Sequence, residues 1–224
     1  MSNNLKSVFC SLAVCLAFVA CKKEVANEPM APNTSETVKA ATDEQSYYTT
    51  PDGETYTYID TTGAGVSSTS ISSQKAMGDT TIDEKTFSKV SGDGSRIYNY
   101  QNSDKGVTTL VAYNGAEKIT TTVLKANEPV GTVWTDNFTS GGVPATYKWQ
   151  IVEKGISRTV LGVTYNNVIK VHLVGVATVG SRAANTIASA DYFYAPNVGL
   201  IENIGYNPVS GAVELHRVFQ KKSK

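Results

Sequence analysis

The chain has 224 residues, of which 41% are hydrophobic and 18% are charged, and its formal net charge is zero. This charge balance argues against a dedicated nucleic-acid-binding protein, and the hydrophobic content argues against a wholly disordered chain. No apolar run reaches the ~20 residues that a membrane-spanning helix requires.

The N-terminus has the pattern of a secretory signal peptide. Residues 1–7 are polar with a positive charge at Lys6, and the stretch Val8–Ala20 is apolar except at Ser11. This length is typical of a signal core and short for a membrane span. The sequence therefore predicts a signal peptide over residues 1–20.

This segment ends in Phe18-Val19-Ala20-Cys21, with small or apolar residues directly before a cysteine. The motif resembles the lipobox of bacterial lipoproteins, although Phe18 stands where leucine is commoner. The resemblance implies cleavage by signal peptidase II and acylation of Cys21, with palmitate as an expected acyl group. An ordinary signal peptide cut after Ala20 is the alternative, but it leaves Cys21 without a second mature cysteine to pair with.

Cleavage before Cys21 determines which cysteines remain in the mature protein and how it is anchored. Cys10 and Cys15 leave with the signal, so the mature chain is expected to lack disulfides and thiolate metal sites. A multiply acylated Cys21 would anchor it firmly to a membrane. The following Lys22-Lys23-Glu24 partly resembles a surface-export signal of some Gram-negative lipoproteins, and a plain linker is the alternative. We expect an outer-membrane location, on either the periplasmic or the surface face.

Residues 21–45 are polar and small, with Pro29 and Pro32 and no sustained hydrophobic period. They are expected to form a lipidated N-terminus and a flexible tether with a mean span of roughly 25–30 Å. The β domain is expected to cover residues 46–224.

From residue 46 onward, short segments alternate apolar and polar residues between frequent turn signals. One series comprises Thr55–Thr61, Thr86–Val90, Arg96–Gln101, Val107–Tyr113 and Glu117–Lys125. A second comprises Ala145–Glu153, Ser157–Val160, Val168–Val179, Ala188–Ala195, Leu200–Gly205 and Ala212–Gln220. This pattern predicts antiparallel meanders. We expect one all-β domain that forms a strongly curved sheet, a sandwich or a half-open barrel.

Three turn signals predict hairpins: Asn114-Gly115, Asn166-Asn167 and the run from Asn207 to Gly211. Two segments are ambiguous. The stretch Gly63–Asp83 fits an irregular strand or a loop with a short helix near Ser73–Met77, and Ala183–Ala190 could form one helical turn.

No catalytic pattern stands out. His172 and His216 fall on strand segments beside charged neighbours, which favours solvated histidines over metal ligands. The sequence has no nucleophile elbow, Walker loop or dinucleotide fingerprint. We therefore expect no enzyme activity, no metal and no cofactor.

Five aromatic residues share strand faces or flank a strand: Trp134, Tyr147, Trp149, Tyr192 and Tyr194. They would either fill the core or line a groove that binds a glycan or lipid through flat apolar rings. Pro196 cannot sit in a central ladder, so Asp191–Gly205 is predicted to be a strand–turn–strand rather than one strand.

A resemblance to a known group of proteins is carried by four segments in this order along the chain: Val130–Trp134, Val152–Gly155, Asn167–Val171 and Asp191–Ile201. They resemble small β-rich Gram-negative envelope lipoproteins that share a tyrosine pair followed by Ala-Pro-Gly-Val-Gly-Leu-Ile or a close variant. Asn197 stands where that group has glycine. The group has no established activity, and some relatives of its fold resemble half-open barrels that carry lipids.

Together these observations predict a non-enzymatic outer-membrane lipoprotein that presents a binding or structural β module. The alternative is a carrier that holds a lipid or other hydrophobic ligand on the concave face of the sheet. Expected partners are the membrane and a glycan, lipid or protein ligand, and no nucleic acid.

Overall fold

The computed structural model describes residues 46–47, 51–63, 68–92, 98–114, 116–178 and 185–224, with the side chains of 98–103 and 114 outside that description. The predicted signal peptide, Cys21 and the tether up to residue 45 lie outside the described residues. Within them the regular elements are twelve strands: β1 Thr55–Thr62, β2 Ser68–Ile82, β3 Lys85–Gly92, β4 Tyr98–Asp104, β5 Val107–Asn114, β6 Glu117–Lys125, β7 Val133–Ser140, β8 Val143–Val160, β9 Val163–Ala177, β10 Asn185–Ala195, β11 Gly199–Tyr206 and β12 Val213–Ser223. None of the described segments is a helix that could cross a membrane.

All twelve strands belong to one antiparallel sheet in the order β6-β5-β4-β3-β2-β1-β12-β11-β10-β9-β8-β7. The two series of alternating segments thus become two meanders, which are joined by the pairing of β1 with β12. The prediction of a single all-β domain of antiparallel meanders is confirmed. The sheet is continuous, and β6 and β7 form its two edges.

Two predicted hairpins are confirmed. β5 pairs with β6 up to Asn114, which lies opposite Glu117 and is therefore a strand residue rather than a turn residue; Gly115 lies outside the described residues. β11 pairs with β12. In their connection the Asn207 amide donates to the Ala212 carbonyl at 2.7 Å, and the Asn207 side-chain oxygen accepts from two following amides at 2.9 Å each.

The third hairpin prediction was wrong in position. The turn between β8 and β9 is Leu161-Gly162, with φ values of 48° and 82°. Asn166 and Asn167 lie inside β9, and the positive φ of Asn167 (57°) accompanies a shift in the β8–β9 register. Asparagine tolerates the left-handed region at a bulge as well as in a turn, so the residue type alone did not distinguish the two.

Both ambiguous segments contain strands. Ser68–Ile82 is a strand of 15 residues, without the helix considered near Ser73–Met77. Its serines and threonines extend because β1 and β3 supply backbone partners on both sides. The described part of Ala183–Ala190 likewise lies in β10.

The core consists of two apolar clusters. The first contains Trp134, Tyr147, Trp149, Leu124 and Ile151, with other residues of β6 and β9. The second surrounds Phe193, Ile201 and Phe219 and includes Val160 and Val168 from the distal half of the β8–β9 hairpin. The β8–β9 pairing has three register shifts between Ile151 and Arg158, and the residues before and after them belong to the first and the second cluster respectively.

The segment Asp191–Gly205 is a strand–turn–strand, as predicted. β10 ends at Ala195 and β11 begins at Gly199. In the turn between them Asn197 has a φ of 62°, and its amide donates to the Ser46 carbonyl at 2.7 Å. The described N-terminal residues are therefore fastened to this turn, since Tyr47 also donates its hydroxyl to the Asn167 carbonyl at 2.8 Å.

Candidate functional site

The five aromatic residues singled out from the sequence form one connected cluster. Trp134 and Trp149 come from paired positions on β7 and β8, and their rings stack with centroids 6.4 Å apart and an angle of 8°. Tyr147 meets Trp149 edge-on at 6.1 Å. Tyr192 approaches Trp149 at 5.5 Å and stacks on Tyr194 at 6.4 Å.

Four of these five rings are buried, and Tyr192 is partly buried against them. Trp149 is 0% exposed, and Tyr147 and Tyr194 are each 2% exposed. Burial raises the pKa of Tyr192 to about 12, although the positive charge of Arg217 acts in the opposite direction. The cluster contains the contacts expected of a packed core, and a ligand-binding role for these residues stays a prediction.

Beside the cluster lies the contact between the edge strands β6 and β7, here called the seam. Both strands are fully described, and no backbone ladder joins them. Instead the Trp134 indole donates to the Thr122 carbonyl at 2.6 Å, and the Thr122 amide donates to Asp136 Oδ2 at 2.9 Å. Thr121 adds its hydroxyl to the same Asp136 oxygen at 2.8 Å. Side chains of β7 therefore satisfy the backbone of β6.

Two more polar side chains hold the ends of the seam. The Glu117 carboxylate of β6 accepts the Gly141 amide at 2.8 Å and the Gly142 amide at 3.3 Å, in the β7–β8 turn. Lys154 of β8 donates to the carbonyls of Ala126 and Glu128, between β6 and β7, at 2.7 and 2.8 Å. The curled sheet is thus fastened along its open side by side chains.

Asp136 is a partly buried charge at the middle of the seam. Burial raises its pKa, and the bonds from Thr122 and Thr121, an interaction with Trp149 and the charge of Lys125 oppose that rise without cancelling it. Trp149 interacts with this carboxylate and acts to lower its pKa, but within the described part of the chain its buried indole N–H makes no hydrogen bond of ordinary geometry.

A second polar arrangement, here called the histidine face, surrounds two buried carboxylates. His172 Nδ1 lies 2.6 Å from Asp191 Oδ1, and Asp191 Oδ2 receives Lys170 at 3.1 Å and the Tyr206 hydroxyl at 3.0 Å. Burial acts to raise the pKa of Asp191, but these three bonds outweigh it and hold the pKa below its usual value. Asp191 is therefore ionised, and the imidazole is the donor.

The second carboxylate of this face is Glu202. Arg158 Nε donates to it at 2.5 Å and His216 Nε2 lies 2.8 Å away. Burial again acts to raise the pKa, and the bonds from Arg158 and His216 keep the pKa of Glu202 below its usual value. Arg158 also lies over the Phe193 ring, 4.4 Å from its centroid, which ties the charge pair to the second core cluster.

The sequence had placed both histidines on a solvated face, and the structure revises this. The His172 and His216 side chains are 33% and 39% exposed, but their partners Asp191 and Glu202 are only 11% and 6% exposed. The sequence missed both carboxylates. These carboxylates are identified only by the pairing of strands, which places Asp191 opposite His172. That pairing cannot be read from the local sequence pattern.

In each pair of the histidine face the carboxylate orients an imidazole, as in a catalytic acid–base pair. Nucleophilic catalysis would also need a nucleophilic side chain at the other ring nitrogen. Among the described residues, no group of three or more His, Cys, Asp or Glu side chains is placed to hold a metal ion.

Comparison with known proteins identifies the fold and no family. No protein-family model matches the chain, and no curated protein sequence matches it significantly. A solved structure described as a lipoprotein, from Parabacteroides distasonis, aligns with a TM-score of 0.52 at 12% identity, over 81% of this chain and 100% of that one. A protein from Bacteroides fragilis, described as exported and as having a YmcC-like fold, aligns at 12% identity over 80% of this chain and 100% of that one. Its TM-score of 0.44 is too low to support an argument.

Proposed function

We propose that this protein is a non-enzymatic lipoprotein of the outer membrane, whose β domain is a binding or structural module carried on acylated Cys21. The observation that carries the module assignment is an interior occupied by the chain's own side chains. Trp149, Ile151 and Leu124 are each 0% exposed. A domain of this kind would meet its partners through its outer surface, where the histidine face lies.

The anchor rests on the residues before Cys21 and is consistent with the lipoprotein description of the Parabacteroides structure. The test is membrane fractionation of the full chain carrying Cys21→Ser. This variant should be unprocessed or soluble and should incorporate no labelled palmitate. Cys15→Ser is the matched control, since it changes a signal-peptide cysteine that accepts no lipid, and it should fractionate like wild type. Undiminished lipid labelling of the Cys21 variant would overturn the assignment.

The face of the membrane is a separate question. Protease added to intact cells should remove the domain if it is surface-exposed and leave it intact if it is periplasmic. If Lys22-Lys23-Glu24 directs export, replacing Glu24 with Gln should increase the protected fraction.

The second candidate function is a carrier of a lipid or other hydrophobic ligand. The specific observation in its favour is the large aromatic cluster, at which Tyr192 and Phe138 are only partly buried and leave apolar ring surface for a ligand. Native mass spectrometry of protein purified from membranes tests it. A carrier should retain a lipid mass that delipidation removes, whereas a structural module should show the mass of the acylated chain alone.

A further inference from the structure

β7 is an edge strand with one side of its backbone turned away from β8. Ser140 pairs with Val143 across a two-residue turn, and the β7–β8 register has no shift. In such a hairpin the closing pair is hydrogen-bonded, and hydrogen-bonded pairs then alternate along the ladder. In agreement, the Ile151 amide donates to the Thr132 carbonyl at 3.0 Å. The residues whose backbone N–H and C=O groups point away from β8 are therefore Val133, Thr135, Asn137 and Thr139.

The backbone groups of these four residues have no hydrogen-bond partner in the described part of the chain. The seam does not cover them, because its bonds to Thr122 come from the side chains of Trp134 and Asp136, at the alternate, inward-facing positions of β7. Buried backbone groups without a partner are rare, so this edge faces solvent. The four side chains are exposed as well, and that of Val133 adds apolar surface at 46% exposure.

The other edge strand, β6, is protected against pairing with a further strand. It contains Lys118 and Lys125, its register with β5 shifts beside Thr109, and side chains of β7 occupy the backbone of Thr122. Lysines, bulges and covering groups are the features by which proteins block edge strands. β7 contains no lysine, proline or register shift, and its outward row is uncharged. The β7 edge is therefore open to pairing with another strand.

We propose that β7 pairs antiparallel with β7 of a second copy of this chain, so that two sheets join into one across a two-fold axis. With Asn137 on the axis, Thr135 of each copy faces Thr139 of the other, and such threonine pairs are favourable in sheets. Asp136 then faces the neutral Phe138, whereas a register centred on Asp136 would oppose two carboxylates. This ladder would contain about six backbone hydrogen bonds.

A strand that pairs with itself forms the closed, self-complementary contact typical of dimers. The neutral outward row suits this occupant, because a second copy brings no repelling charge to it. A single pair of strands buries less than the ~1,600 Å² of a standard protein interface, so association should be weak and should depend on concentration.

Cysteine cross-linking of the full chain in membranes tests the pairing. In Asn137→Cys the two new thiols lie at opposed positions of the ladder, where Cα atoms are ~5.5 Å apart, a separation that a disulfide spans. Oxidation should give a dimer that reductant removes, severalfold more abundant than in Lys148→Cys. Lys148→Cys is the matched control, because Lys148 is exposed on the same face of the sheet, one strand further from the edge.

Sedimentation velocity of the purified full chain in detergent provides a second measurement. The wild-type mass should rise toward that of a dimer with increasing concentration. Thr135→Lys should lower the dimer fraction severalfold, because a lysine on an edge strand opposes pairing. Gln150→Lys adds the same charge one strand further from the edge and should behave like wild type. The pairing does not require acylation of Cys21, so its failure can be distinguished from failure of the lipid anchor.

A monomer mass at every concentration would overturn the proposal. So would a cross-link no stronger in Asn137→Cys than in Lys148→Cys, or association that Thr135→Lys leaves unchanged. Cross-linking of Asn137→Cys to other membrane proteins without a dimer would also overturn it, because the edge would then bind a different partner.

Discussion

The buried ion pair between Asp60 of β1 and Arg217 of β12 joins the two meanders. Arg217 Nε donates to Asp60 Oδ1 and Nη2 donates to Oδ2, both at 2.5 Å. The Ser72 hydroxyl donates to Asp60 Oδ2 at 2.6 Å. The Arg217 and Asp60 side chains are only 3% and 4% exposed, so solvent screens this pair very little.

Removing one partner should therefore be severe. Arg217→Met keeps most of the aliphatic stem but leaves the Asp60 carboxylate buried with Ser72 alone. Loss of one member of a buried pair typically costs ~3–5 kcal/mol. The guanidinium also lies over the Tyr58 ring, 5.3 Å from its centroid, which places the expected loss in the upper half of that range. A domain stable by ~5–15 kcal/mol would lose a large part of its stability.

Urea unfolding followed by tryptophan fluorescence measures the effect, because Trp134 and Trp149 are both buried. Lys222→Met on the same strand is the matched control. Lys222 pairs with Glu54 at 3.2 Å; the Lys222 side chain is 41% exposed and that of Glu54 is 10% exposed. Because the Tyr56 hydroxyl, which donates to the same Glu54 oxygen at 2.9 Å, remains in the variant, the loss should be well below that of Arg217→Met.

The double variant Asp60→Leu/Arg217→Met removes both charges. It should recover most of the loss, since apolar replacements of buried pairs are often neutral or stabilising. If Arg217→Met is no less stable than Lys222→Met, or if the double variant is as unstable as the single one, then the penalty of an unpaired buried charge does not account for this site.

Three further predictions concern stability. Tyr194→Ala should cost ~3–5 kcal/mol, as truncations of buried aromatics do, and a melting temperature equal to that of wild type would mean that the ring is not part of the core. Gly175→Ala should cost ~1–3 kcal/mol by overpacking, because the new Cβ would lie 2.9 Å from Tyr147 Cε1; unchanged urea midpoints would show that the Tyr147 ring moves aside. Asp191 and Glu202 have pKa values below their unfolded values, so the stability they contribute is present above ~pH 4 and is lost as the pH falls through the folded values. Urea midpoints should therefore fall in acid, with a shallower fall in Asp191→Asn, and identical slopes for the two proteins would contradict this reasoning.

Much of the local structure follows from the sequence. Alternation with period two predicted the strands, because side chains on a pleated strand point to opposite faces. It also placed Tyr192 and Tyr194 on one face, where the structure stacks them at 6.4 Å. Residues with special backbone preferences marked the β10–β11 and β11–β12 turns, where Asn197 and Gly211 have positive φ values. These signals are local and depend on the residue itself.

Local pattern was ambiguous where neighbours determine the conformation. Asn167 has a left-handed φ inside a strand rather than in a turn, because β8 continues past it as a partner. The polar stretch Ser68–Ile82 is a strand because β1 and β3 pair with it. Neither outcome could be read from the segment alone, since the backbone hydrogen bonds that decide it come from elsewhere in the chain.

The polar sites depend entirely on tertiary structure. Pairing of β1 with β12 brings Asp60 to Arg217 across 157 positions of sequence, and curling of the sheet brings Asp136 to Thr121. Alternation tells which face a side chain occupies but not which strand lies beside it. The sequence by itself therefore determined that this protein is built of antiparallel strands and that Tyr192 and Tyr194 share one strand face, but it left open whether the aromatic residues fill a core or line a groove. Only the register and curvature of the sheet decided which charges are buried together and where the sheet is fastened, because those contacts join residues that no local period relates.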